Sequence, residues 1–357
     1  MSKRPELPVV TDITNIQRVL VTMTDGHLGN LVVAIPVIRQ MAEEAQKQGI
    51  SIRFLIDAPF CELLEALLGQ ELIIPYPRRE LNTATALKKV RAAQQLIKSV
   101  RSFKPQMTVD LYGTAQPSVV AGLSGADLRV GPERSRWYSR FLTNKIKPFG
   151  QPAHRVGGYH LIAAAAGLCG DIHDKEAVCD EAILDQIRLR IKGLGRDARN
   201  PLVLLHPGAG KKIKIWPPER FAELADRLTA DGNQVAVIGA GADQPLCEKI
   251  IKISKSKIIN LCNCFSIMEL YHLFFLADVL IGNDSGPSHL AALTPIRLHS
   301  IFGPTDPVYW KPLSENCSVI TRDYSVCDFN CKPCARRENC ISDIDVDRVF
   351  NTVATAA

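Results

Sequence analysis

The chain has 357 residues, 46% of them hydrophobic and 22% charged, with a formal net charge of +6. That length exceeds one typical hydrophobic core, so two domains are expected. No apolar run approaches the ~20 residues of a membrane helix, and the N-terminal stretch MSKRPELPVVTD lacks the apolar core of a secretory signal, so a cytoplasmic protein with at most peripheral membrane contact is expected.

The charge is uneven. Residues 1–170 hold 21 Lys+Arg against 13 Asp+Glu, a net +8, and the remainder holds 22 against 24, a net −2. The basic half points either to an anionic partner or to a solvated helix face, since Lys88, Lys89, Arg91, Lys98, Arg101 and Lys104 recur at helical spacing. The chain has no aromatic-rich RNA-binding strand, zinc-finger histidine pair or long basic run, so no nucleic-acid partner is expected.

In chain order, Val19–Met23 reads as a strand, followed by a turn at Asp25-Gly26-His27-Leu28-Gly29 and a helix from Asn30 to about Lys47. Ile52–Ile56 is the next strand, the segment 83–103 a helix, and Met107–Leu111 a further strand. The Ala-rich stretch Leu161–Gly170 reads as a buried helix and 183–197 as a charged helix with a polar linker. Strands then recur at Leu202–His206, Val235–Ile238, Ile258–Leu261, Val279–Ile281 and Leu298–Phe302. A helix opens at Pro217/Pro218 with Phe221, Leu224, Ala225 and Leu228 on one face, and residues 345–353 form a short final helix. This βα alternation predicts an α/β fold of two parallel-sheet domains. Residues 1–180 form the first, 181–340 the second, and 341–357 a C-terminal helix.

Three strand-to-helix loops of the second half carry glycine and small polar residues: His206–Pro217, Gly239–Asp243 and Gly282–His289. Free backbone N–H groups and a helix dipole suit such loops to a diphosphate. Lys214 is placed to neutralise a phosphate. Asp284, Ser285, Gly286 and His289 form the densest polar cluster, while Trp216 is expected to pack at a helix start rather than stack on a base.

On these motifs the sequence resembles glycosyltransferase family nine, the heptosyltransferases of lipopolysaccharide core synthesis. The segments that carry the resemblance are Val19–Pro36, Asp110–Gly113, His206–Phe221, Gly282–Ala292 and Phe302–Pro307. The resemblance implies a GT-B architecture of two Rossmann-like domains facing a cleft. It implies an inverting, metal-independent transfer of heptose from ADP-heptose to an acceptor hydroxyl. Gly208, Ala209, Lys214, Asp243, Asp284, Ser285, Gly286 and His289 would bind the donor, and Lys214 would stabilise the leaving diphosphate. The acceptor would be an anionic glycolipid or a protein. Where many members carry Gly-Asp with that Asp as base, this chain has Gly29-Asn30, and asparagine takes no proton at neutral pH. Asp110 and Asp25 are the available carboxylates, with Asp110 preferred for its strand-end position. His27 and Asn30 are candidates for holding the acceptor.

Cys327, Cys331, Cys334 and Cys340 fall within fourteen residues, a spacing that can close a tetrahedral structural zinc or iron site. The cluster resembles the iron-binding finger of autotransporter heptosyltransferases, which modify protein serines. A protein O-heptosyltransferase is therefore one alternative. A sugar-nucleotide-binding protein that has lost catalysis, suggested by Asn30, is another. A sugar-nucleotide epimerase is a third, opposed by the Asp284–His289 and Phe302–Pro307 stretches.

Overall fold

The computed structural model describes residues 12–133, 136–146, 154–170, 177–322 and 340–355. The chain divides into two units, Met1–Glu176 and Ala177–Ala357. The division falls ahead of residue 180 because Asp180 already belongs to the second unit. Its carboxylate caps the helix Glu181–Gly193, accepting from Ala182 N–H at 2.9 Å, and its own N–H donates to His272 Nε2 at 3.0 Å.

The first unit holds strands β1 (Arg18–Met23), β2 (Ser51–Asp57), β3 (Ile73–Tyr76), β4 (Met107–Asp110), β5 (Leu128–Pro132) and β6 (Asn144–Ile146). They form one parallel sheet in the order β3-β2-β1-β4-β5-β6. The second holds β7 (Leu202–His206), β8 (Gln234–Val237), β9 (Ile259–Asn260), β10 (Val279–Asn283), β11 (Arg297–Phe302) and β12 (Cys317–Thr321). Its order, β12-β11-β10-β7-β8-β9, is the same doubly wound topology traversed from the other edge. In such a sheet the order reverses between the first and fourth strands, and the crevice at their carboxyl ends is where ligands bind. These switch points lie between β1 and β4 in one unit and between β7 and β10 in the other.

The central strands are buried on both faces, which is why β1, β7 and β10 read as almost unbroken runs of Val, Leu and Ile. The helix Pro218–Ala230 lays Phe221, Leu224, Ala225 and Leu228 on the second sheet. The C-terminal helix Val346–Thr355 is not a separate element. Val346, Val349 and Val353 close the same core, so residues 340–355 are part of the second unit. Trp216 is fully buried at the start of the helix it precedes, edge-on to Phe221 at a centroid distance of 4.9 Å, and its Nε1–H donates to the Ile344 carbonyl at 2.8 Å. Among the described residues no helix is long and apolar enough to cross a membrane. Cys327, Cys331 and Cys334 lie outside the described residues. Cys340 begins the short turn Cys340–Asp343.

Candidate functional site

The switch point of the second unit gathers most of the residues the sequence singled out there. Asp284 follows β10 directly, and its N–H donates to Ile301 O at 3.0 Å. Its Oδ2 accepts from Lys214 Nζ at 2.6 Å and from Thr305 Oγ1 at 2.6 Å, while His289 Nε2 stands 3.8 Å from Oδ1. Burial alone would raise the Asp284 carboxyl, but the His289 imidazole, the Lys214 ammonium and the Thr305 hydroxyl outweigh it and hold the group at about 2. Asp284 is therefore a fixed anion that anchors a lysine. That ammonium has three N–H donors, of which Asp284 takes one. His289 is buried, and its Nδ1 has no partner among the described residues.

The backbone around this cluster is tied across strands. Asn283 accepts from Trp216 N–H at 3.1 Å and donates to Pro207 O at 2.8 Å, and Ser288 Oγ donates to Asn283 O at 2.8 Å. These bonds lock the loop after β7, which contains Gly208, Ala209 and Lys214, to the loop after β10, which contains Ser285 and Gly286. Asp243 joins from the loop after β8. Its Oδ2 accepts from Ala240 N–H at 2.9 Å and lies 3.8 Å from His206 Nε2, and the neighbouring His206 imidazole, with the Ala240 N–H, keeps its carboxyl below the usual range against the opposing effect of burial. A methyl group at Gly208 would collide with this carboxylate, and one at Gly239 would sit 2.7 Å from Asp243 Cβ. Both glycines are thus needed for the close approach. His206, Asn283 and Thr305 were not singled out from the sequence. Each falls within a stretch that carries the family resemblance, His206 and Asn283 at a strand end and Thr305 in the loop after β11.

At the switch point of the first unit, the turn after β1 meets the loop after β4. Gly26 has φ +81, a conformation that favours glycine, and its N–H donates to Asp57 Oδ2 at 2.8 Å. Asp57 in turn pairs with Arg78 Nε at 2.5 Å. Asp25 accepts the His27 N–H at 3.1 Å and the Asn30 amide, whose Nδ2 also lies 2.9 Å from Tyr112 Oη. Asn30 thus faces inward onto Asp25 and Tyr112 rather than standing alone as an acceptor group.

Asp110 is placed otherwise. It is fully buried and accepts from Tyr112 N–H at 3.1 Å, Gly113 N–H at 2.8 Å and Ser118 Oγ at 2.8 Å. Both oxygens are occupied in shaping the loop that carries Tyr112. Asp110 thus sits among the donors of its own loop, whereas Asp25 sits against the exposed His27 ring. No group of three or more His, Cys, Asp or Glu side chains placed to hold a metal occurs among the described residues.

Comparison with known proteins agrees with this geometry. The profile of Glycosyltransferase family 9 (heptosyltransferase) matches residues 93–344. Lipooligosaccharide heptosyltransferase 2 of Campylobacter jejuni is 32% identical over 172 residues, which cover 43% of this chain and 52% of that protein. The chain thus spans about half the length of this relative. Lipopolysaccharide heptosyltransferase 3 of Escherichia coli is 32% identical over 243 residues, covering 65% of this chain and 69% of that one. Among solved structures, the glycosyl transferase family 9 protein of Veillonella parvula matches with a TM-score of 0.79 at 19% identity, over 95% of this chain and 97% of that chain. The E. coli ADP-heptose lipopolysaccharide heptosyltransferase II matches with a TM-score of 0.75 at 18% identity, over 96% and 98%. At these identities the structural likeness is one of fold, the GT-B class, whereas the profile match spans well over half the sequence. The chain belongs to glycosyltransferase family 9, the heptosyltransferase family.

Proposed function

We propose that the protein is an inverting glycosyltransferase that moves heptose from ADP-heptose to a hydroxyl of an anionic glycolipid, the lipopolysaccharide core, on the cytoplasmic side. The observation that carries this reading is the Lys214–Asp284 pair braced by Thr305 and His289 at the switch point of the second unit. A pre-oriented ammonium beside loops with backbone N–H groups suits a diphosphate that gains charge as it leaves. Gly208, Ala209, Ser285 and Gly286 line those loops, and Asp243 borders them. In the first unit, the Asp25 turn supplies the group that deprotonates the acceptor. The basic surface of that unit, with Lys88 and Arg91 exposed on the helix Ala86–Ser102, favours an anionic acceptor. We also propose that Cys327, Cys331, Cys334 and Cys340 bind a structural zinc or iron, on the strength of their spacing. Metal analysis of the purified protein and of a Cys331→Ser variant tests this.

Calorimetric titration with ADP-heptose, beside UDP- and GDP-sugars, tests the donor. Selective binding of ADP-heptose is expected. Lys214→Ala should weaken it by about ten- to a hundredfold, the cost of one charge-assisted hydrogen bond. Asp284→Ala should weaken it similarly by releasing Lys214. Preference for another nucleotide would leave the fold standing and overturn the donor.

A further inference from the structure

The turn at Asp25 holds more chemistry than one carboxylate. The His27 ring is 74% exposed while the Asp25 side chain beneath it is 4% exposed. His27 Nδ1 lies 3.0 Å from Asp25 O and 3.3 Å from Asp25 Oδ2, and the same Oδ2 accepts the Asn30 amide. Asn30 is held from behind by Tyr112, and the turn is pinned through Gly26 to the Asp57–Arg78 pair. The result is a chain of contacts running from a half-buried amide, through a nearly buried carboxylate, to an exposed imidazole. A carboxyl group on one side of an imidazole fixes which nitrogen carries the proton. Here it fixes Nδ1–H and leaves Nε2 as the acceptor. Nε2 has no assigned partner among the described residues.

We propose that His27 is the catalytic base of the transfer, with Asp25 and Asn30 as its positioning residues. The proposal rests on the glycosyltransferase reading above. As the acceptor oxygen bonds to the anomeric carbon, its proton passes to His27 Nε2. The bond from that carbon to the diphosphate oxygen breaks, and ADP leaves with the electron pair. The imidazolium so formed sits against the Asp25 carboxylate, which stabilises it without itself taking the proton. Histidine is the side-chain type that titrates nearest neutral pH, and so the one suited to this task. Asn30 then has its own explanation. An amide donates to Asp25 and keeps it turned toward His27, whereas a carboxylate there would face Asp25 as a like charge.

The test is ADP release from ADP-heptose with a lipooligosaccharide core fraction as acceptor, with calorimetric donor titration alongside. His27→Ala should lower kcat by about 10²- to 10⁴-fold with unchanged ADP-heptose affinity. It should also lose the acid limb of the kcat/KM profile and regain turnover when imidazole is added. Asp25→Asn should lower kcat without rescue by imidazole. Asn30→Asp should move the acid limb to higher pH, because added negative charge favours the protonated ring. Wild-type kcat in His27→Ala, with its acid limb intact, overturns the proposal. So does a rise in acceptor KM at unchanged kcat, which would make His27 a binding residue. A wild-type chain that binds no ADP-heptose, or binds it and releases no ADP, overturns the transferase reading as well.

Discussion

Two buried titratable side chains of the second unit respond to acid in different windows. Asp284 keeps its charge down to about pH 2 because three partners compensate for its burial. His299, on β11, is buried with no partner for either ring nitrogen among the described residues, and burial, assisted by Arg297, lowers it to about 4. An unfolded histidine protonates near its ordinary value of 6.5. Between that value and about 4 the unfolded chain binds the extra proton, so stability falls as pH drops through this window. The loss should be on the order of 3 kcal/mol. His299→Leu is expected to flatten it, as read from denaturant midpoints at pH 7 and pH 4.5. Asp284 contributes only below this range. At the residue scale the sequence revealed kinds of side chain better than their pairings. Asp110 ends one short apolar strand and Asp25 follows another. Only the three donors that face Asp110 show it to be a loop-shaping group, and those donors come from backbone and from a serine eight residues away.

At the scale of elements, the glycine-containing loops after β7 and β8 behave as one unit because Asp243 packs where Gly208 and Gly239 lack side chains. Gly208→Ala should displace the Asp243 carboxylate and cost about 1–3 kcal/mol, as overpacking does in other tight sites. Weaker ADP binding by calorimetry, accompanied by a lower melting temperature, checks this. The elements most plainly legible in the sequence were those buried on both faces, such as Leu202–His206 and Leu298–Phe302, where apolar runs end in glycine-rich loops. β3, β5, β6 and β12 were not anticipated, and each lies at or next to a sheet edge. β3 contains Pro75, β6 is only Asn144–Ile146, and β12 is half-buried along most of its length. An edge strand tolerates proline and polar residues, so it carries little of the pattern by which a central strand is recognised.

At the scale of the whole molecule, charge is divided between two units that each have their own sheet and core. On the helix Ala86–Ser102 the buried stripe is Ala92, Leu96 and Val100, and Lys88, Lys89, Arg91 and Lys98 form no ion pair among the described residues. Raising salt should therefore increase the acceptor KM several-fold while changing ADP-heptose affinity less, since exposed charges are screened and the Lys214–Asp284 pair is largely buried. A fragment of residues 177–357 should fold and bind ADP by itself, a result that calorimetry of the purified fragment would check.

Trp216 sets a further condition. Its backbone N–H supports the loop after β10, while its indole reaches the carbonyl of Ile344, to which Arg220 also donates. The geometry of the loop after β10 and the segment around Ile344 are thus joined through Trp216. During synthesis, a ribosome that has delivered every loop residue up to Pro307 has still not delivered the partner of that indole. Competence to hold a nucleotide would then appear late and abruptly, when the segment around Ile344 emerges, rather than growing as each loop is made.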